Sequence, residues 1–134
     1  MEFEFKSGLQ VLAKFSGKEN LTLILETSIT VEEKNKGLSF RSSLRDNYGM
    51  IFVFRPKQKV YVWMKDTFIS LDIIFIKNRT IIEIIKNAKP HQTSPMYESE
   101  AEVTEFIEIN SGFTDKHNIK VGDKVTFEKI ALFK

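Results

Sequence analysis

Apolar residues in this chain recur in short runs, several of which alternate with polar residues, and this pattern is typical of β-strands. The runs 9–15 and 21–27 flank Gly17 and predict a hairpin. Residues 50–54 are almost continuously apolar, as in a buried central strand. We expect Pro56 to end that strand, because proline has no N–H group to donate to a neighbouring strand.

The second half of the chain continues in the same way. The tripeptide 77–79 predicts a tight turn, and the segment 87–95, which contains two prolines, predicts a loop. Further strands are predicted at 60–64, 71–76, 80–85, 104–109 and 124–132.

Short helices are predicted at two places. Thr30 and Glu33 have the spacing of a capping box, and Gly37 can end a helix that covers residues 31–36. Ser111 predicts the cap of a second helix that ends near His117. The whole chain, 1–134, is thus predicted to be a single mainly β (α+β) domain, barrel-like or a sandwich, with two short helices.

Composition supports one folded domain and excludes several kinds of site. The 134 residues are 42% hydrophobic and include 12 phenylalanines, which is ample material for a core. There is no cysteine, so disulfides, thiolate zinc sites and cysteine nucleophiles are excluded. The net charge is +2 and the lysines are dispersed, so we expect no nucleic-acid partner. We expect no cofactor and no bound metal, and we expect a monomer.

The sequence leaves the cellular compartment open. No apolar run approaches the roughly 20 residues that a membrane-spanning helix needs. The first six residues lack the basic start and the apolar stretch of a signal peptide. A chain from which a leader had been trimmed would look the same. The protein is then expected to be periplasmic or exported if a leader was removed, and cytoplasmic otherwise.

The segment 60–72 carries the most suggestive chemistry. Trp63 is the one tryptophan, and Lys65, Asp66 and Thr67 follow it between two apolar runs. Burying these polar groups without partners would cost several kcal/mol. The segment is therefore either a solvated turn with Trp63 anchored in the core, or a cleft wall that presents an aromatic plane, an ammonium group and two carboxylates.

Other polar residues admit more than one role. Arg41 needs a carboxylate or an anionic ligand, and Asp66 and Asp72 are its natural partners in the chain. We expect Asp72 to be structural first, accepting hydrogen bonds from Arg41 or from the amides around Thr67. Tyr97 could form a hydrogen bond across a cleft or cover one end of the fold.

Strand alternation places Glu108 on the solvent face together with Phe106. If Glu108 points inward instead, it needs a partner such as Arg41 or Lys65. His91 and His117 lie in predicted loops without ligand spacing, and we expect both to be surface residues.

Several motifs occur in a specific order along the chain. Individually each is weak, but the order and the spacings are specific. They are Gly37-Leu38-Ser39-Phe40-Arg41 with Ser43-Leu44, Gly49-Met50-Ile51-Phe52-Val53-Phe54, Trp63-Met64-Lys65-Asp66-Thr67 with Leu71-Asp72, then Pro90, Tyr97, Glu108 with Gly112, and Ile119 to Val125.

In these motifs the chain resembles the bacterial and archaeal family called domain of unknown function 192, from about residue 21 to residue 127. The resemblance implies a small, β-rich, barrel-like α+β fold, often in an exported or membrane-tethered context, and it implies no reaction. Three features depart from the family pattern. Ser39 replaces the usual methionine, Asp66 replaces the usual asparagine, and the loop 91–95 lacks the cysteine pair of many members.

Two hypotheses of different classes follow. The first is a non-catalytic binding or accessory module, with an aromatic and cationic cleft near Trp63 for a small anionic or sugar-like ligand or a protein segment. The second is a hydrolase-type enzyme in which Asp66 and Asp72 act as acid and base. The residues expected to contact the ligand are Arg41, Trp63, Lys65, Asp66, Thr67, Asp72 and Tyr97.

Overall fold

The computed structural model describes residues 3–130. Within this range seven strands form one mixed sheet in the order β6-β5-β8-β3-β2-β1-β9, and β4 pairs with β7 in a small separate ribbon. The elements are β1 Gln10–Phe15, β2 Lys18–Ser28, α1 Val31–Lys36, β3 Tyr48–Gln58, β4 Tyr61–Val62, β5 Leu71–Lys77, β6 Thr80–Ala88, β7 Tyr97–Glu98, β8 Val103–Asn110, α2 Phe113–Lys116 and β9 Val125–Lys129.

The sheet is antiparallel except between β2 and β3, which run parallel. A parallel pair needs a crossover connection, and α1 with the segment after it supplies that connection. The mainly β character and the two short helices of the described chain confirm the sequence prediction. The barrel-like description is not confirmed. An isolated bridge joins Thr80, the first residue of β6, to Lys124, which precedes β9, but the sheet is not a closed barrel.

Each face of the sheet carries its own core, because successive side chains of a strand point to opposite faces. The first core is mainly aliphatic and includes Leu23, Leu25, Ile51, Ile74 and Ile107. The second core lies on the other face and is rich in aromatic side chains; it contains Leu38, Met50, Phe52, Val60, Val62, Met64, Leu71, Ile73, Phe75, Ala88, Val103 and Phe106.

Several sequence predictions are confirmed at the level of single residues. The hairpin around Gly17 joins β1 to β2, and α1 covers residues 31–36 as predicted. The capping box is present, since Thr30 Oγ1 accepts from Glu33 N at 3.1 Å and Glu33 Oε1 accepts from Thr30 N at 2.9 Å. Lys77 to Thr80 forms the tight turn between β5 and β6.

Other boundaries differ from the prediction. Pro56 does not end β3, which continues to Gln58, because the pairing with β8 is irregular between Val53 and Gln58 and requires no N–H from the proline. The strand predicted at 60–64 is reduced to β4, since Lys65 and Asp66 form a turn.

At the C-terminal end, Ser111 does not cap α2. The helix follows Gly112 without a side-chain cap, while the Ser111 hydroxyl bonds to the Asn87 side chain. The last strand was predicted to reach residue 132; β9 ends at Lys129, and residues 131 and 132 lie outside the described range. No helix in residues 3–130 is long and apolar enough to traverse a bilayer.

Gly49 offers a test of the packing between β3 and β8. A methyl group at this position would overlap the backbone carbonyl oxygen of Glu108, which the sheet holds in place. We expect Gly49→Ala to lower the free energy of unfolding by about 1–3 kcal/mol, because overpacking of this kind forces the strands apart.

The control is Gly17→Ala. Gly17 has a φ of 73° but open space around it, so its substitution tests backbone strain alone. Urea denaturation measures the loss of stability in both variants, and hydrogen exchange should show faster exchange of the β8 amides only in Gly49→Ala. Wild-type protection of β8 in that variant would contradict the proposed overlap.

Candidate functional site

A cleft of about 430 Å³ opens into the second core. One wall is formed by α1 and the turn that follows it, and the opposite wall by the segment from Gln58 to Trp63. The turn that contains Lys65 and Thr67 closes one end, while β3 and β8 form the floor. The chain therefore assembles this cleft from segments that are distant in sequence, around the central strand β3 and its neighbour β8.

The floor of the cleft is a stack of phenylalanine rings. Phe52 and Phe106, which are paired across β3 and β8, stack with centroids 4.4 Å apart and planes within 11°. Phe54 stacks on Phe106 at 5.7 Å, and Phe75 meets Phe106 edge-on from β5 at 5.8 Å. Such rings present a broad apolar surface on which a planar group can stack.

Glu108 is the buried acidic residue of this floor. It lies on β8 directly opposite Met50 and Ile73, and it is 5% exposed. Within residues 3–130 its side chain forms neither an ion pair nor a hydrogen bond, and burial alone raises the pKa of its carboxyl group to about 8. Near neutral pH this carboxyl group is therefore mostly protonated, and it lines the cleft as a neutral acid.

The rim of the cleft is positively charged. In the described part of the chain, Lys34, Lys36, Lys59 and Lys65 line it, and Glu108 is the one acidic residue among the lining residues. Of these lysines, Lys59 also pairs with Glu98, whose carboxylate lies 3.4 Å from its ammonium group. The Lys34 ammonium lies 3.9 Å from the centroid of the Phe54 ring, and burial lowers its pKa. Lys65 lies 5.4 Å from the Trp63 ring centroid, so a cation adjoins an aromatic plane at the mouth.

The segment 63–67 is a turn that also forms a cleft wall. Its buried anchor is Met64, which is fully enclosed, whereas Trp63 is 44% exposed and lines the cleft. The interpretation of Trp63 as a core anchor is thus wrong. Backbone bonds hold the turn from both sides: Phe40 N donates to Asp66 O at 2.7 Å and His91 N donates to Thr67 O at 3.1 Å.

Asp72 is structural and does not line the cleft. Its Oδ1 accepts from Asn87 N at 3.1 Å, and its Oδ2 accepts from Thr114 N at 3.1 Å and from Thr114 Oγ1 at 2.7 Å. The expectation of a hydrogen-bonded structural carboxylate is confirmed. The expected donors, Arg41 and the amides around Thr67, were wrong. The observed donors belong to β6 and α2, because these two elements pack over the start of β5.

Arg41 is paired with Glu26, and neither Asp66 nor Asp72 is its partner. The guanidinium grips the Glu26 carboxylate with two bonds of 2.5 and 3.0 Å, which lowers the pKa of Glu26 and raises that of Arg41. This pair lies beside a separate groove that Ser28 and Met50 also line. The structure therefore does not bring Arg41 to the cleft that Trp63 and Lys65 share.

Of the other predicted contacts, Thr67 lines the cleft and Asp66 and Tyr97 do not. The Tyr97 hydroxyl accepts from Lys89 N at 2.9 Å and donates to Gln92 Oε1 at 3.1 Å, so it positions the loop behind the Trp63 turn. His91 is exposed, and its ring lies tilted against that of Phe68, with the centroids 5.2 Å apart. No cluster of three metal-binding side chains occurs in residues 3–130.

Sequence reasoning missed the floor and part of the rim. Glu108 was predicted to face solvent with Phe106; the two do share a face, but that face is covered by the second core and the cleft walls. Lys34 was not singled out, since a lysine in a short helix is usually solvated. A usable signal was present: the neighbour of Glu108 on the same face of the strand, two residues earlier, is the aromatic Phe106.

The sequence profile of the family described as "Uncharacterized ACR", domain of unknown function 192, matches residues 12–127. A comparison with curated proteins returned no match. A solved structure from Novosphingobium aromaticivorans, a protein of unknown function, is 35% identical with a TM-score of 0.80, covering 90% of this chain and 87% of that one. A candidate transcription regulator from Sinorhizobium meliloti is 26% identical with a TM-score of 0.82, covering 93% and 98%.

The first prediction from this site concerns pH. Because burial raises the pKa of Glu108 to about 8 from an ordinary 4.5, the folded chain retains a proton that the unfolded chain has lost between those values. The free energy of unfolding should therefore fall as pH rises through this window and level off above it.

Glu108→Gln removes this titration while keeping the shape of the side chain. We expect the free energy of unfolding of the variant, minus that of the wild type, to increase by a few kcal/mol as pH rises from about 5 to about 9. Urea denaturation of both proteins across that range measures the difference. Parallel stability profiles would show that Glu108 is ionised in the folded chain at neutral pH.

The second prediction separates the two aspartates. Asp72→Ala leaves the Asn87 and Thr114 donors without an acceptor, and we expect a loss of roughly 1–3 kcal/mol or more in denaturant melts. Asp66→Asn is the matched control: Asp66 has a φ of 55°, a conformation that asparagine adopts readily, and asparagine is the usual family residue. If Asp66→Asn unfolds easily while Asp72→Ala is as stable as the wild type, the structural role belongs to Asp66 and not to Asp72.

Proposed function

The chain belongs to the family described as "Uncharacterized ACR", domain of unknown function 192, and we propose that it is a non-catalytic binding module for a small amphipathic anion. The observation that carries the proposal is the composition of the cleft, which combines a phenylalanine floor with a rim of lysines and Trp63. The apolar body of the ligand stacks on the floor, and its anionic group meets the ammonium groups at the mouth.

The size and polarity of the cleft support a small ligand. A volume of about 430 Å³ falls within the range of ordinary ligand pockets. The apolar walls include Leu38, Val60 and Val62, and they extend the surface of the phenylalanine floor. The rim cations give orientation, because a carboxylate or a similar group would be held at the mouth while the rest of the ligand is buried.

Trp63 and Lys65 act as a pair in this proposal. The exposed indole plane can cover a ring or the apolar face of a sugar, and the neighbouring ammonium lies close enough to contact an anionic substituent on it. A sugar acid or an acidic protein segment would use the same two side chains.

The hydrolase hypothesis has less support. It requires the carboxyl groups of Asp66 and Asp72 to face one cavity that is open to solvent. Neither lines the cleft, and both oxygens of Asp72 accept hydrogen bonds inside the fold. We therefore base the proposed function on binding.

The test uses a defined probe, 4-isopropenylbenzoate, and its uncharged analogue 4-isopropenylbenzamide. Two-dimensional ¹⁵N–¹H NMR titrations should show shifts at cleft residues, with tighter binding of the carboxylate and a decrease in its affinity as salt is added. We expect Trp63→Ala to weaken the binding of both probes by about tenfold. Lys65→Gln should weaken only the carboxylate, by about twofold to fivefold.

Arg41→Gln is the control, since Arg41 carries the same charge but lies outside the cleft. Its affinities should equal those of the wild type. Methyl glucoside and an acidic peptide serve as competitors, and displacement of the benzoate by either would assign the site to that ligand class. Binding that is unchanged in both Trp63→Ala and Lys65→Gln would overturn the placement of the site.

A further inference from the structure

Glu108 is a polar group without a partner at the bottom of an otherwise apolar floor. Its neighbours on the same face of the sheet are Met50, Ile73 and Phe106. A buried polar side chain of a folded protein nearly always has a hydrogen-bond partner, and the described residues supply none for Glu108. Because the carboxyl group lines the cleft, the missing partner can come from a ligand.

The surroundings decide which form of the carboxyl group meets that ligand. The titratable groups that face the cleft are Glu108, Tyr61 and the lysines of the rim, and none of them pairs with the Glu108 carboxyl. Lys34 is the most enclosed of these cations, and its ammonium rests on Phe54. An ionised carboxylate would thus be buried without compensation, whereas the neutral acid offers an O–H donor.

We propose that Glu108 donates a hydrogen bond to a neutral carbonyl oxygen at the buried end of the ligand. This inference rests on the proposed binding function and narrows its ligand class to acyl or keto acids. Such a ligand has an acceptor oxygen at one end, an apolar body in the middle and a carboxylate at the other end. The rim lysines contact the carboxylate and the phenylalanine rings contact the body.

A cationic ligand fits the site less well. An ammonium group could in principle pair with Glu108, but it would have to pass the lysines at the mouth, which repel it. A ligand that is hydrocarbon throughout its buried end would offer the acid no acceptor. The carbonyl oxygen satisfies the donor and introduces no charge into the floor.

The experiment compares two probes of the same planar shape. The acetyl group of 4-acetylbenzoate carries a carbonyl oxygen where 4-isopropenylbenzoate carries a methylene group, and both have the same carboxylate. Their ratio of dissociation constants therefore isolates the hydrogen bond from the contribution of the lysines. NMR titrations at about pH 6 and about pH 9.5 lie on either side of the pKa of about 8 of the Glu108 carboxyl.

We expect the wild type to prefer 4-acetylbenzoate by about threefold to tenfold at the lower pH. The preference should disappear or reverse at the higher pH, where the carboxylate repels the carbonyl oxygen. Glu108→Gln, whose amide can donate but does not titrate, should keep the preference at both pH values. Glu108→Leu should bind both probes equally.

Two results would overturn the inference. One is a wild-type preference that does not change with pH or that persists in Glu108→Leu. The other is equal binding of the two probes by the wild type at the lower pH. If Glu108→Leu fails to fold, the wild type and Glu108→Gln still test the inference. Only the wild type should lose its preference for 4-acetylbenzoate at the higher pH. If neither probe binds the wild type, the inference and the proposed function both fail; equal binding refutes the inference alone.

Discussion

The pairing of β8 with β3 on one side and β5 on the other is the constraint on which the rest of this structure depends. Successive side chains of β8 point to opposite faces of the sheet, and each face is covered by a core. Phe106 and Glu108 are consequently held in register with Phe52 and Met50 of the neighbouring strand. The stacked floor and the enclosed acid beside it follow from this register.

Backbone hydrogen bonds act together with the buried side chains of Leu38, Val62 and Met64 to hold the walls above that floor. The turn after Trp63 accepts bonds from the segment after α1 and from the loop behind it, at Phe40 N and His91 N. Tyr97 braces that loop with its hydroxyl group. Parts of the first three motifs therefore meet Glu108 around one cleft. Ile119 and Val125 of the last motif lie in the first core instead, and Arg41, within the first motif, pairs with Glu26.

Sequence patterns predicted the structure correctly where residues close together in the chain determine it. The Thr30 and Glu33 capping box and the turn at Lys77 act within a few residues, so their spacing is enough. Patterns failed where a distant segment determined the outcome. Alternation correctly put Glu108 and Phe106 on one face, but it could not reveal that Leu38 and Val62 cover that face. The partner of Arg41 was missed for the same reason, since Glu26 reaches it only through the fold.

The position of Lys34 has a consequence for how the cleft can be filled. Its ammonium group covers the Phe54 ring, which is one of the surfaces on which a planar occupant would stack. The side chain is thus an internal competitor, and a bound ring that uses Phe54 must displace it into water. The affinity measured for such a molecule then reflects the stacking of its ring on Phe54 minus the lost contact between the Lys34 ammonium group and Phe54. Lys34 lies on α1, a helix that has no buried residue of its own.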